Sequence, residues 1–174
     1  MLEIEVKSKI DDIASMKEKI AILGGHYIET RHETDHYFNH PSRDFRETGE
    51  AFRIRVDDDG AMVTYKGPKL GGVAKTRVER ETGVSDFDTM RQILDSLGFK
   101  PAGIVEKTRC YYGYGDATLT LVSVKGLGDY IEIEMIGEDR TLLEPRVLEI
   151  ASSLGVEVFE KRSYLSMVLG VGEE

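Results

Sequence analysis

The sequence has one cysteine, four prolines and no hydrophobic run of bilayer-spanning length. A lone Cys110 cannot close an intrachain disulfide or build a Cys-based zinc site. No stretch approaches the roughly 20 apolar residues of a membrane helix. Scarce proline beside 40% hydrophobic residues speaks against global disorder. Cations are in the minority, 23 Lys and Arg against 32 Asp and Glu, for a net charge of −9. That balance argues against a DNA binder held by phosphate contacts, unless its cations gather on one face. The opening Met1-Leu2-Glu3-Ile4-Glu5-Val6-Lys7 puts charges where a signal peptide needs an apolar stretch. The expectation is a cytoplasmic, globular, single domain over residues 1–174.

What is abundant is strand patterning. Residues 2–9 alternate, with Leu2, Ile4 and Val6 on one face and Glu3, Glu5, Lys7 and Lys9 on the other. Residues 51–56 and 61–66 flank Asp57-Asp58-Asp59-Gly60, a hairpin signal. Residues 34–38, 73–82, 104–112, 117–124 and 129–136 also read as strands. Helices are predicted after Asp11 or Asp12 up to Gly24, from Ser85 (capping-box-like with Asp88) to Gly98, and over 141–154 with Pro145 in the first turn. A short helix is predicted over 163–169. The three Leu-Gly endings hint at two related halves meeting near residue 83, but no linker separates them. Segments 40–49 and 67–72 read as exposed loops, the latter a mobile hairpin end placed to act as a lid.

The polar strand faces carry charged pairs at i and i+2, which point the same way. The acidic pairs are Glu3/Glu5, Glu79/Glu81 and Glu132/Glu134; the basic ones are Arg53/Arg55 and Lys107/Arg109, with Lys7, Lys66 and Arg77 nearby. A sheet with one wet face would show such alternation, and cross-strand ion pairs would help it slightly. Two features favour more. These faces are poor in Ser, Thr, Asn and Gln, and the cations are mostly Arg in closely spaced basic pairs, and Arg suits bidentate oxyanion recognition. A barrel closed with this face inward would hold costly charges needing a match. A polyphosphate with a divalent metal supplies one, each contact at 4 Å being worth ~4 kcal/mol before desolvation at an effective dielectric near 20.

The opening Glu3-x-Glu5-x-Lys7 resembles the ExExK signature of the CYTH family, which includes class IV adenylate cyclases, thiamine triphosphatases and inorganic triphosphatases. The resemblance continues in order through Thr34-Asp35-His36-Tyr37-Phe38, Ala51-Phe52-Arg53-Ile54-Arg55, Tyr65-Lys66-Gly67-Pro68 and Glu79-Arg80-Glu81. It runs on through Val105-Glu106-Lys107-Thr108-Arg109, Gly126 to Glu134 and Lys161-Arg162-Ser163-Tyr164, so it spans essentially the whole chain. It implies an α+β protein: a closed antiparallel β-barrel of about eight strands, the triphosphate tunnel fold, with helices packed outside. It implies triphosphate contacts from Lys7, Arg53, Arg55, Lys66, Arg77, Lys107 and Arg109, with Lys161 or Arg162 added from the tail. It implies Mg²⁺ or Mn²⁺ held by Glu3, Glu5, Glu132 and Glu134, with Glu79 and Glu81 completing that site or orienting Arg77. The residues implied in catalysis are Glu3, Glu5, Lys7, Arg53, Arg55, Lys107 and Arg109. The implied partner is a small-molecule triphosphate such as ATP, with no DNA or membrane; a homodimer is compatible with this.

One departure stands out. Similar sequences often carry Asp after a leucine on the strand before the Gly-Leu-Gly turn, whereas here Leu121 precedes Val122. If that Asp binds metal, one of two metals is held weakly or not at all. The run from Leu97 through Arg109, with 34–38, looks closest to class IV adenylate cyclases; a triphosphatase and a non-catalytic polyphosphate-binding module are the alternatives. His32, His36 and His40 are spaced for a helical zinc site, but that segment reads as strand. Cys110 is expected outside the tunnel under a helix. Tyr111, Tyr112 and Tyr114 read as packing residues.

Overall fold

The structure is a computed structural model and describes residues 2–171. Eight strands close into one antiparallel barrel: β1 (Leu2–Ile10), β2 (His26–Asn39), β3 (Ala51–Asp57), β4 (Gly60–Lys66), β5 (Lys75–Val84), β6 (Lys100–Tyr114), β7 (Ala117–Val124) and β8 (Gly128–Gly137). Their order around the wall is β1-β5-β4-β3-β2-β6-β7-β8, so β1 to β5 form one continuous arc and β6 to β8 complete it, with residue 83 inside β5 and both parts in one closed sheet. Closure leaves no free sheet edge.

Among the described residues five helices lie outside: α1 (Ile13–Leu23), α2 (Phe45–Thr48), α3 (Phe87–Ser96), α4 (Arg140–Ser153) and α5 (Tyr164–Val168). Each starts on a side chain that accepts a backbone N–H: Asp12, Asp44, Asp86, Asp139 and Ser163. For α3 the cap is Asp86, accepting from Thr89 at 2.6 Å, not the expected Ser85. An ionised carboxylate is the stronger acceptor at a helix N-terminus. Pro145 falls in the body of α4, not its first turn: with Asp139 as the cap it is the sixth helical residue. The expected loop 40–49 contains α2, held by the buried Phe45, whose N–H bonds the Asn39 side chain at 2.8 Å.

The hydrophobic core lies between the barrel wall and the helices. Ile4, Val6, Leu119, Leu121, Ile131, Ile133 and Met135 face outward from β1, β7 and β8 to meet Met16 and Ile20 of α1 and Val147, Ile150 and Ala151 of α4. Such side chains each contribute about 1.5–3 kcal/mol on burial. A smaller cluster joins Phe38, Ile54 and Leu94 under α3. Cys110 is half-buried against the first cluster, outside the barrel, with its Sγ 3.3 Å from Thr30 Oγ1. Since the core absorbs the outward apolar faces of β1 and β8, the period of two leaves their charged faces inside.

Candidate active site

Register places the predicted residues on the inner face. Across β1 and β8, Glu5 lies opposite Glu134 and Lys7 opposite Glu132. Across β1 and β5, Glu3 lies opposite Arg77 and Glu5 opposite Lys75. Across β4 and β5, Lys66 meets Glu79 and Thr64 meets Glu81. Arg53 and Arg55 of β3 sit beside Tyr37 and Asp35 of β2, and Glu33 sits beside Lys107 of β6.

The interior divides into two banks. On the β1–β8 side, Glu3, Glu5 and Glu134 bring carboxylate oxygens within 4.8 Å of one another. Burial, then repulsion from Glu3 and Glu5, pushes the Glu134 carboxyl up to about 8. Burial, only partly offset by Lys66, also raises Glu3. Lys66 Nζ donates to both Glu3 oxygens at 2.7 Å and lies 3.2 Å from Glu79. Hard oxygen donors with an excess of negative charge fit Mg²⁺ or Mn²⁺.

The opposite bank is built on Asp35, whose carboxylate is fully buried. It accepts from Arg55 Nε at 2.7 Å, Arg53 Nη1 at 3.1 Å and Lys107 Nζ at 2.7 Å. Burial opposes its charge, but Arg53, Lys107 and Arg55 outweigh that and hold Asp35 well below the usual carboxylate range. Lys107 shows the converse. Burial and the neighbouring arginines pull it down to about 7 despite Asp35. Glu33 adds a second carboxylate, 3.1 Å from Arg55 Nε and accepting from Tyr111 Oη at 2.5 Å.

Of the six carboxylates expected to hold metal, the structure gathers Glu3, Glu5 and Glu134. Glu132 instead pairs with Arg109; burial opposes its charge, but Arg109, Lys107 and Lys7 hold it at about 2. Glu79 is engaged by Lys66, and Glu81, exposed at the barrel mouth, accepts from Thr64 at 2.9 Å. Lys161 lies exposed at the surface, away from these contacts. From the tail it is the Arg162 backbone carbonyl that reaches the barrel, accepting from Lys7 at 2.7 Å and Lys75 at 3.3 Å. Asp35, Glu33 and Tyr111 escape the pairwise reading, because β2 mixes acid, threonine, histidine and aromatic residues. The alternation Glu33-x-Asp35-x-Tyr37 was the available signal.

Several inward-facing cations keep donors that no carboxylate occupies. Arg53 Nε and Arg109 Nε are buried without a hydrogen bond, and no carboxylate of the described residues lies within ion-pair distance of the buried Arg77 or Lys7. The end nearest α5 is apolar: Val105, Val122, Val124 and Tyr130 close on Tyr164. Val122 sits in register between Arg109 and Tyr130, so the position where Asp is expected faces the tunnel but is sealed in this cluster. Tyr164 places its ring 4.2 Å from Lys7 Nζ.

A closed barrel with core outside and charge inside, and with a carboxylate trio facing an arginine–lysine bank, defines the class of protein with the triphosphate tunnel fold. The CYTH domain family matches residues 1–164, and the chain belongs to that family. It is 40% identical over 173 residues to a Methanocaldococcus jannaschii protein named "Putative adenylate cyclase MJ0240", covering 96% of this chain and 98% of that one. The PH1819 protein of Pyrococcus horikoshii OT3 superimposes with a TM-score of 0.87 at 37% identity, covering 97% and 98% of the two chains. A Hippeastrum protein, described as a "putative adenylyl cyclase" that reveals a dominant triphosphatase activity, shares the fold at 16% identity and a TM-score of 0.69, with 97% and 96% covered. No helix of the described residues is long and apolar enough to cross a membrane.

The raised carboxyls carry a prediction. A group near 8 is largely protonated at neutral pH, and a cation must displace that proton. Mg²⁺ affinity is therefore expected to rise with pH up to about 8 and then level off. Calorimetry in buffers of different ionisation enthalpy at pH 7 should register proton release; affinity flat from pH 6 to 8.5 would show that Glu134 is not in the site.

Proposed function

We propose that this protein is a metal-dependent enzyme acting on a triphosphate, with ATP cyclisation to cyclic AMP and pyrophosphate as the leading reaction. The observation that carries this reading is the Glu3, Glu5 and Glu134 trio across the barrel from Arg53 and Arg109, whose buried Nε donors lack partners. The name of the M. jannaschii relative favours the cyclase. Hydrolysis of inorganic or thiamine triphosphate is the second reading, favoured by the activity described for the Hippeastrum protein.

The trio would hold Mg²⁺ or Mn²⁺, which supplies Lewis-acid stabilisation of charge on phosphate oxygens. Lys7, Arg77 and the unoccupied Nε donors of Arg53 and Arg109 grip those oxygens, and Arg55, Lys66 and Lys107 exchange their internal carboxylates for them. Fixed cations in a water-poor interior stabilise developing charge strongly. In cyclisation the ribose 3′-hydroxyl attacks the α-phosphorus and pyrophosphate leaves; in hydrolysis water attacks the terminal phosphorus. Lys107 Nζ, held near 7, can accept or return a proton at neutral pH.

The test is a product assay with ATP, inorganic triphosphate and thiamine triphosphate, each with Mg²⁺ or Mn²⁺. Cyclic AMP with pyrophosphate, lost in Arg53→Ala, is the expected result. Orthophosphate without cyclic AMP assigns a triphosphatase. Absence of turnover beside a triphosphate-induced rise in melting temperature assigns a binding module.

A further inference from the structure

The loop between β4 and β5 is not free. Glu144 of α4 accepts two successive backbone N–H groups from it, Val73 at 2.9 Å and Ala74 at 3.0 Å, both on Oε1. Its other oxygen holds Arg140 Nε at 2.9 Å, and Arg140 Nη1 reaches the Leu70 carbonyl at 3.3 Å. Gly72 makes this possible. Its φ of +108° is a left-handed conformation, and a β-carbon there would fall 1.7 Å from Arg140 Nη2 and 2.8 Å from Glu144 Oε1. The residue after Val73 is Ala74, buried in the core beneath α4.

The location gives this contact meaning. The β1–β5 ladder runs only from Leu2–Val78 to Glu5–Lys75, the shortest seam of the barrel among the described residues. By contrast, β1–β8 is paired from Leu2–Gly137 to Ile10–Asp129. The short seam is where Glu3 and Glu5 meet Arg77 and Lys66. The α4 helix packs on β1 and β8, which carry the carboxylate trio, and reaches past the seam to the loop joining β4 and β5.

We propose that Arg140, Glu144 and Gly72 form an external clasp that holds the β1–β5 seam closed and thereby positions Lys66 and Arg77 to bind triphosphate. These are positioning residues, since none touches the tunnel. The affinity part of the proposal rests on the triphosphate reading above; the seam part does not.

Two kinds of variant test it. Glu144→Ala removes the acceptor, and Gly72→Ala drives Arg140 out of the clasp and crowds Glu144 Oε1 as well. Both should speed hydrogen exchange at Val73 and Ala74 and along Lys75–Val78 by about 10-fold or more, with α1 and α3 unchanged. Affinity for inorganic triphosphate with Mg²⁺ should weaken by about 5- to 20-fold, as a higher KM with kcat nearly unchanged. Mg²⁺ affinity alone should hold, because Glu5 and Glu134 sit on the intact β1–β8 ladder. Glu144→Gln keeps an oxygen for the two amides and should behave close to the parent. Faster exchange confined to Val73 and Ala74, with Lys75–Val78 still protected, would overturn the proposal. If the parent protein binds no triphosphate, the functional reading falls, while the exchange pattern still decides whether the clasp holds the seam.

Discussion

Asp35→Ala is expected to destabilise the barrel by about 3–5 kcal/mol, among the largest effects of any single substitution in this chain. Asp35 is fully buried and serves Arg53, Arg55 and Lys107 at 2.7–3.1 Å. Removing it leaves three cations packed together away from water. Lys107, already near 7, would lose its proton and relieve part of the strain. The arginines cannot follow, because guanidinium stays charged at any ordinary pH. Glu33, 3.1 Å from Arg55, compensates only in part. For a chain of this size the loss corresponds to a fall in melting temperature of roughly 6–20 °C. A tunnel-binding anion should reverse it, since ligand bound only to the folded state stabilises by mass action. Melts of Asp35→Ala with and without inorganic triphosphate check both halves. A loss below about 1 kcal/mol would mean that the bank is solvated and needs no internal counterion.

Glu134→Gln should do the opposite to stability while removing activity. The Glu134 carboxyl is pushed up to about 8 by burial and by Glu3 and Glu5, so the folded state binds a proton that the unfolded chain releases near 4.5. Stability from this group is complete below about 4.5 and is lost as pH rises through 8. A neutral amide removes that penalty, so the variant without metal should be more stable than the parent at pH 8 by about 4 kcal/mol, with the gain falling below about 1 kcal/mol near pH 5. The same change strips one of three clustered oxygens. Metal-supported turnover should fall by about 10²–10⁴-fold, and the melting-temperature rise produced by Mg²⁺ should shrink or disappear. Melts across pH 5 to 8.5, with and without Mg²⁺, together with the product assay, decide it. A variant with normal turnover would remove Glu134 from the metal site, and one less stable at pH 8 would contradict the raised carboxyl. Such opposition between stability and function is the usual signature of a strained site.

Much of this was readable before any coordinates. Strict alternation on β1 placed Glu3, Glu5 and Lys7 on one face, and the basic pairs Arg53/Arg55 on β3 and Lys107/Arg109 on β6 marked oxyanion-binding faces. The Asp-Gly turn at 59–60 fixed one hairpin. Other features depended on distant partners. Asp35 reads as one polar residue in a mixed strand, and only closure brings Arg53, Arg55 and Lys107 around it. Glu132 looks equivalent to Glu134, yet the structure gives one to Arg109 and the other to Glu3 and Glu5. The loop 67–72 reads as a mobile lid from its glycines, whereas Arg140 and Glu144, some 70 residues away, tie it down.

The division has a physical cause. Side-chain direction along a strand follows from backbone geometry with a period of two, so which residues share the inner face is a local property that sequence alone determined. Which carboxylate meets which cation depends on the register and tilt of eight strands, and on a core packed outside them. That pairing, and with it each group's proton affinity and each carboxylate's freedom to take a metal, was decided only by the tertiary structure, because the charges that set it lie on separate strands that local patterning cannot align.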